Sequence, residues 1–218
     1  MSAPAHETSR LLAFSDGVFA LSATLLVVTL GEVPGSYEEL TDAVARFPAF
    51  ALAFAALVSL WWNHRQFFAA HPLGDGWTTI LNSLLLLVVL LYVYPLKLLA
   101  EVVSERFLGA APDVTAGMGE GEVRGLFLIF GAAVAAVAAL LAGLHLRAWQ
   151  LRDELFLDAG RRAALRRDGA VYAGVAAVAL LSMLLAALRL GVGWGLPLWV
   201  YALPPLAVAA ERLRRRAP

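Results

Sequence analysis

The side chains with the clearest chemical potential lie in an otherwise apolar stretch near the start of the chain. Residues 10–30 read RLLAFSDGVFALSATLLVVTL, which places Arg10, Ser15 and Asp16 among aliphatic residues. The stretch is long enough to cross the hydrocarbon core of a bilayer, which takes roughly 20 residues of helix. Charged groups inside such a segment are costly, so they are expected to be paired and are candidates for function.

Helical periodicity sorts the side chains of this stretch into separate faces. One face carries a row of mostly large apolar side chains, with Thr24 at its margin: Phe14, Gly17, Leu21, Leu25 and Val28. Asp16 points to another side and is six positions from Arg10, so the two do not face each other as residues one turn apart do. Asp16 is therefore expected to find its partner on another helix. Periodicity alone leaves the apolar face open to two interpretations, ordinary helix packing or the lining of a pore.

The composition indicates a membrane protein that is not an enzyme. Of the 218 residues, 61% are hydrophobic and only 16% are charged, and the mean hydropathy is +0.74. Such values are typical of a polytopic membrane protein. The sequence has no cysteine, which excludes disulfides and thiol chemistry. Its four histidines lack metal-site spacing, and no phosphate-binding loop or nucleophile motif is present.

Six apolar segments predict an all-α integral membrane protein with six transmembrane helices in one domain covering residues 1–218. The approximate spans are residues 10–31, 47–69, 77–100, 124–149, 170–188 and 194–210. An acidic amphipathic piece is predicted after the first span. Residues 101–122, acidic and rich in glycine, are predicted to be a surface loop.

The distribution of charge predicts the orientation in the membrane. Most of the 17 lysine and arginine residues flank one side, including the connector at residues 152–167 and the carboxyl-terminal arginines. The acidic loops fall on the other side. Both termini are therefore predicted to be cytoplasmic, as an even number of spans requires. The alanine-, arginine- and leucine-rich usage suggests a bacterial cytoplasmic membrane.

Three embedded polar residues lie at similar predicted depths on different helices. Asp16 is six residues from Arg10, about 9 Å inward at 1.5 Å per residue. His64 lies about six residues from the cytoplasmic end of the second span, and Asn82 about six from that of the third. Equal depth predicts a polar network between the three helices, with Trp61 packed beside it. In this network one residue of the first helix meets both His64 and Asn82, and the candidates for that residue are Arg10, Ser15 and Asp16. The network is interpreted as structural support for the first helix, with a proton site as the alternative.

Three short patterns resemble a known family. The residues RLLAFSDG at positions 10–17 resemble the Arg-x-x-x-Phe-Ser-Asp-Gly signature that opens the first helix of the transmembrane protein 175 family, which comprises lysosomal and prokaryotic potassium channels. Trp61 and His64 resemble that family's Trp-x-x-His pattern in the second helix, and Asn82 resembles an asparagine early in its third. The resemblance covers the first three spans; the last three match only in number and general character.

The resemblance implies a pore shared between subunits. By position from the signature, first helices of several subunits would line it, with constricting rings at Leu21 and, further out, at Leu25 and Val28. Thr24 corresponds to a family serine or threonine that contributes to potassium preference, so K⁺ would pass near it without a fixed metal site. The six-span prokaryotic members resemble homotetramers. A homotetramer in the lipid bilayer is therefore predicted, conducting monovalent cations and needing no cofactor and no nucleic acid.

Two other functional classes stay open on the residues alone. A proton-coupled secondary transporter could use Asp16 and His64, although no repeat and no charged residue at mid-membrane support it. A non-conducting membrane scaffold is the other. The chain lacks a Thr-Val-Gly-Tyr-Gly filter and a voltage-sensing arginine ladder. A cation pore here would therefore select through a hydrophobic constriction that makes an ion shed water.

Overall fold

The computed structural model describes residues 3–31, 33–109, 117–192 and 195–202, and in these ranges the regular structure is helical throughout. The α-helices, in chain order, are α1 (Ala3–Val28), α2 (Tyr37–Ala45), α3 (Phe47–Ala70), α4 (Gly76–Leu108), α5 (Glu120–Gln150), α6 (Ala159–Ala187) and α7 (Leu196–Trp199). Five of them, α1, α3, α4, α5 and α6, contain segments long and apolar enough to cross a membrane. The predicted all-α, multi-pass membrane protein is confirmed.

The chain divides into two compact units, Met1–Met118 and Gly119–Pro218. In the first unit α1 packs against both α3 and α4, which also pack against each other. The buried face of α1 follows the spacing i, i+4, i+7, i+11 of one helical stripe: Ser15, Phe19, Ser22 and Leu26, each at most 4% exposed. This face anchors α1 in the unit.

The acidic piece after the first span is the short helix α2. The Ser36 hydroxyl accepts a hydrogen bond from the backbone N–H of Glu39 at 3.2 Å, and the Glu39 carboxylate accepts one from Gly35 at 2.7 Å. These bonds satisfy backbone donors that a helix start leaves unpaired. Helix α3 follows after Arg46 alone, with Pro48 in its first turn, a position where the missing N–H of proline costs no helical bond.

The third membrane helix is longer than the sequence indicated. The prediction that residues 101–122 form a surface loop is wrong for its beginning, because α4 continues to Leu108, and for its end, because α5 starts at Glu120. Ala100 and Ser104, one turn apart, are buried, so packing continues beyond the apolar stretch and sustains the helix. The helix ends where Gly109 takes a left-handed conformation with φ of 59°, which glycine adopts at little cost.

The second unit is built on the close antiparallel pair α5 and α6. Gly131 of α5 allows the contact, because a Cβ atom there would lie 2.5 Å from Cγ of Met183 on α6. Nearer the connector, a Cβ on Gly169 would lie 3.1 Å from Cβ of His145. Small residues at such points let two membrane helices approach closely.

The fifth and sixth spans differ from their predicted bounds. The fifth was predicted to begin at residue 170, but α6 begins at Ala159, since the Asp158 carboxylate caps it by accepting the N–H of Arg161 at 2.8 Å. Most of the arginine-rich connector is therefore helical. Of the predicted sixth span, 194–210, the structure describes α7 and the 3-10 turn Val200–Ala202; the remainder lies outside the described residues. That both termini are cytoplasmic and that the chain is one domain stay predictions.

Candidate pore helix and its buried support

A buried chain of hydrogen bonds joins the three helices of the first unit. Nε2 of His64 lies 2.6 Å from Oδ1 of Asn82, and Nδ2 of Asn82 donates to the Ser15 hydroxyl at 3.0 Å. That hydroxyl donates in turn to the carbonyl of Leu11 at 2.9 Å. His64, Asn82 and Ser15 are each 0% exposed. The structure thus brings together one predicted polar residue from each of α1, α3 and α4.

The directions of these bonds assign the histidine tautomer. The hydroxyl hydrogen of Ser15 is donated to the Leu11 carbonyl, so the Ser15 oxygen accepts its bond from Nδ2 of Asn82. Oδ1 of the same amide therefore faces His64. Oδ1 only accepts, so His64 carries its hydrogen on Nε2. The ring packs between Phe19 and Phe68, with centroids 5.5 and 4.9 Å away. Such tight packing on both sides is typical of a structural histidine.

Asp16 takes part in a different contact from Ser15. Nε1 of Trp61 on α3 donates to Oδ1 of Asp16 at 2.7 Å, and the Arg65 guanidinium lies 5.6 Å from the centre of the Trp61 ring. The partner of Asp16 is therefore on another helix. Arg10 is exposed and, within the described ranges, makes neither a hydrogen bond nor an ion pair. The residues predicted as one network thus form two neighbouring contacts, and Arg10 joins neither.

The Asp16–Trp61 bond should appear in a double-mutant cycle. We expect Asp16→Ala and Trp61→Phe each to lower the free energy of unfolding by about 1 kcal/mol, because each removes one charge-assisted hydrogen bond. The double variant should lose little more than either single one. Trp62→Phe is the matched control, since Trp62 is 52% exposed. Fully additive losses in thermal unfolding would contradict the coupling.

One face of α1 is left uncovered by the first unit. We call it the α1 stripe, and it consists of Phe14, Gly17, Leu21, Thr24, Leu25 and Val28. Phe14, Leu21 and Val28 are 61%, 51% and 65% exposed, whereas Leu25 is half-buried. The Thr24 hydroxyl donates to the carbonyl of Ala20 at 3.1 Å. No group of three or more His, Asp or Glu side chains in the described ranges is placed to hold a metal ion.

Lys97 supports the carboxyl-terminal end of α1, a role that the sequence analysis does not predict. Its ammonium donates to the carbonyl of Thr29 and forms an ion pair with Glu101 at 3.4 Å. The last carbonyls of a helix lack intrahelical partners, and a cation there is favourable. Lys97 is the only lysine of the sequence and lies within an apolar segment, close to its carboxyl-terminal end. A single cation in such a segment indicates a specific partner.

Removing this ammonium should loosen the carboxyl-terminal end of α1. In Lys97→Met we expect the amides of residues 28–31 to exchange with deuterium about tenfold faster, because one charged hydrogen bond is lost. Lys97→Arg keeps a charged donor and should restore most of the protection. Unchanged exchange in Lys97→Met, measured by mass spectrometry, would mean that Thr29 is held by other contacts.

The first three membrane helices contain the region that matches a known protein family. The model of the family described as endosomal/lysosomal potassium channel TMEM175 matches residues 10–92, which include all of the α1 stripe and both polar contacts. A potassium channel of Marivirga tractuosa is 33% identical over 158 residues, covering 70% of this chain and 64% of that one. A potassium channel of Chamaesiphon minutus is 34% identical over 119 residues, 51% of this chain and 59% of the other. The chain thus spans less than two thirds of the length of both relatives.

Two solved structures resemble more than nine tenths of the chain. One is the crystal structure of the potassium channel MtTMEM175, in a variant with one threonine changed to alanine, bound to a nanobody fusion protein. It has a TM-score of 0.80 at 27% identity, and the match covers 95% of this chain and 94% of that one. The crystal structure of a lysosomal potassium-selective TMEM175 homologue from Chamaesiphon minutus has a TM-score of 0.54 at 25% identity, covering 91% and 98%. These proteins are ion channels and not enzymes. The chain is a multi-pass membrane protein that is similar to the TMEM175 family over residues 10–92 and to solved TMEM175 channels over more than nine tenths of its length.

Proposed function

We propose that this chain is a subunit of a potassium-preferring cation channel whose pore is lined by α1. The observation that carries the proposal is the α1 stripe, a continuous and mostly exposed row on a membrane helix whose opposite face is anchored in α3 and α4. The similarity to the TMEM175 family and the names of the relatives, which are potassium channels, support it.

The chemistry of the stripe suits a hydrophobic constriction. Leu21, Leu25 and Val28 are spaced at about 6 and 4.5 Å along the helix, so rings of these side chains would form a neck about 10 Å long. Their aliphatic surfaces offer no replacement for water ligands. An ion entering the neck must shed part of its hydration shell, and K⁺, the more weakly hydrated cation, loses less than Na⁺.

Two other positions of the stripe fit the same mechanism. The Thr24 hydroxyl gives its hydrogen to its own helix, which leaves its oxygen as an acceptor for a passing K⁺. Gly17 lies about 6 Å from Leu21 toward the predicted cytoplasmic end and has no side chain. The pore would therefore widen there into a vestibule.

One stripe cannot enclose a pore, so the channel must be an oligomer around a shared axis. We propose a homotetramer, with four copies of α1 facing the axis. The hydrogen bonds of Ser15, His64 and Asn82 would then hold each α1 rigidly from behind. Rigid support of this kind matters because a constriction discriminates between ions only while its width is fixed.

The test is cation flux into liposomes that contain the purified protein, under opposing potassium and sodium gradients. A channel gives flux that follows the electrochemical gradient and prefers potassium. Saturable uptake that requires a proton gradient would replace the proposal with a proton-coupled transporter using Asp16 and His64. Absence of flux from correctly assembled protein would replace it with a scaffold.

A further inference from the structure

The second unit carries an open groove between α5 and α6 that plays no part in the proposed pore. Its volume is about 800 Å³. Small or apolar side chains line most of its length, among them Ala142, Gly143 and Ala173. Trp149 and Arg166 line the end next to the connector. The groove is thus apolar along most of its length and cationic at one end.

The cationic end has an arginine without a protein partner. Most neighbouring arginines are neutralised locally: Arg162 pairs with Asp153 at 2.8 Å and Arg167 with Asp168 at 3.0 Å. Arg166 makes neither an ion pair nor a hydrogen bond within the described ranges, and its guanidinium lies 5.3 Å from the centre of the Trp149 ring. A guanidinium held over an indole keeps its N–H donors available for an anion.

A second guanidinium shares the same indole. Arg152 lies 4.9 Å from the centre of the Trp149 ring, its Nη1 donates to the carbonyl of Trp149 at 2.9 Å, and its Nη2 forms an ion pair with Asp153 at 3.7 Å. Arg152 thus holds the indole in place, and Arg166 is the guanidinium left for a ligand. An unpaired guanidinium at the end of an apolar groove complements an anionic head group joined to an apolar chain. Tryptophan is also typical of the level at which lipid head groups meet the hydrocarbon core.

We propose that this groove binds an anionic phospholipid of the inner leaflet, with its phosphate at Arg166 and an acyl chain along α5 and α6. The groove runs from Arg166 to Leu180, fourteen residues or about 21 Å of helix. That is longer than one leaflet of the hydrocarbon core, about 15 Å, so an acyl chain fits along it. The arginine-rich end is predicted to be cytoplasmic, where anionic lipids attract basic pockets between helices. The proposal does not depend on ion conduction.

The experiment is native mass spectrometry of the purified full chain with phosphatidylglycerol and phosphatidylcholine of identical acyl chains. We expect the wild type to retain phosphatidylglycerol in preference, and Arg166→Gln to bind it about tenfold more weakly, because a charge-assisted contact is lost. Arg161→Gln is the charge-matched control. Arg161 pairs with Asp158 at 3.7 Å, so its loss should leave the binding unchanged.

The acyl chain is tested separately. Ala173→Leu should fill the groove and weaken phosphatidylglycerol binding, whereas Ala163→Leu, an exposed position of α6 outside the groove, should not. Glycerol phosphate at millimolar concentration should fail to displace the lipid. Equal retention of the two lipids would overturn the proposal, as would equal loss in Arg161→Gln and Arg166→Gln. Complete displacement by glycerol phosphate would show a phosphate site without a lipid chain and would overturn it as well.

Discussion

Asn82→Ala is expected to lower the free energy of unfolding by about 2–4 kcal/mol, because it leaves the buried Nε2–H of His64 without an acceptor and removes the donor to the buried Ser15 hydroxyl. Asn82 accepts from Nε2 of His64 at 2.6 Å and donates to the Ser15 hydroxyl at 3.0 Å. Both partners are 0% exposed, so water cannot replace the amide without opening the contact between helices. We expect the thermal midpoint in detergent to fall markedly and the yield of folded protein to fall with it.

Asn63→Ala is the matched control for this loss. Asn63 is an exposed asparagine of α3 whose Nδ2 donates to the carbonyl of Ser59, one turn earlier on its own helix, at 2.7 Å. Its truncation should cost at most about 0.5 kcal/mol. Equal losses for the two variants would mean that the buried chain of hydrogen bonds contributes nothing specific, and that α1 is held by apolar packing alone.

The depth of the polar groups was predictable from the sequence, but their pairing was not. Helical rise and span boundaries determine depth, which is why Asp16, His64 and Asn82 are expected at one level. The choice between Ser15 and Asp16 as the partner of Asn82 depends on the rotation of α1 against α3 and α4. That rotation depends on which face of α1 is buried. In the sequence the opposite, apolar face has an equally regular spacing, so periodicity alone does not identify the buried face.

Helix ends were the least predictable part of the fold. Apolar runs mark where the bilayer is crossed, whereas α4 and α6 extend beyond it for reasons of packing and capping. Ser104 is buried in a segment that is polar enough to be predicted as a loop. Asp158 caps α6, so the helix begins at Ala159, eleven residues before the predicted start of the span at Ala170. Lys97 illustrates the same limit, because its bond to the Thr29 carbonyl requires the end of α1 to lie beside α4.

Leu21→Ala is expected to reduce the potassium-over-sodium permeability ratio about tenfold, which corresponds to about 1.4 kcal/mol of lost discrimination. In the proposed pore the shorter side chain widens the neck, so both ions pass with more of their water. Leu21 is 51% exposed on the α1 stripe, so its truncation leaves no cavity in the packed core of the first unit. Thermal stability should therefore change little while selectivity falls.

The matched control is Val27→Ala, a truncation on the same helix. Val27 is 50% exposed but lies on a different face from the α1 stripe, so the ratio should stay at the wild-type value. Reversal potentials measured with opposing potassium and sodium gradients give both ratios. A wild-type ratio in Leu21→Ala, in protein that still conducts, would remove Leu21 from the constriction. An equal fall in both variants would show that selectivity depends on the general packing of α1, because two faces of one helix cannot both point at the pore axis.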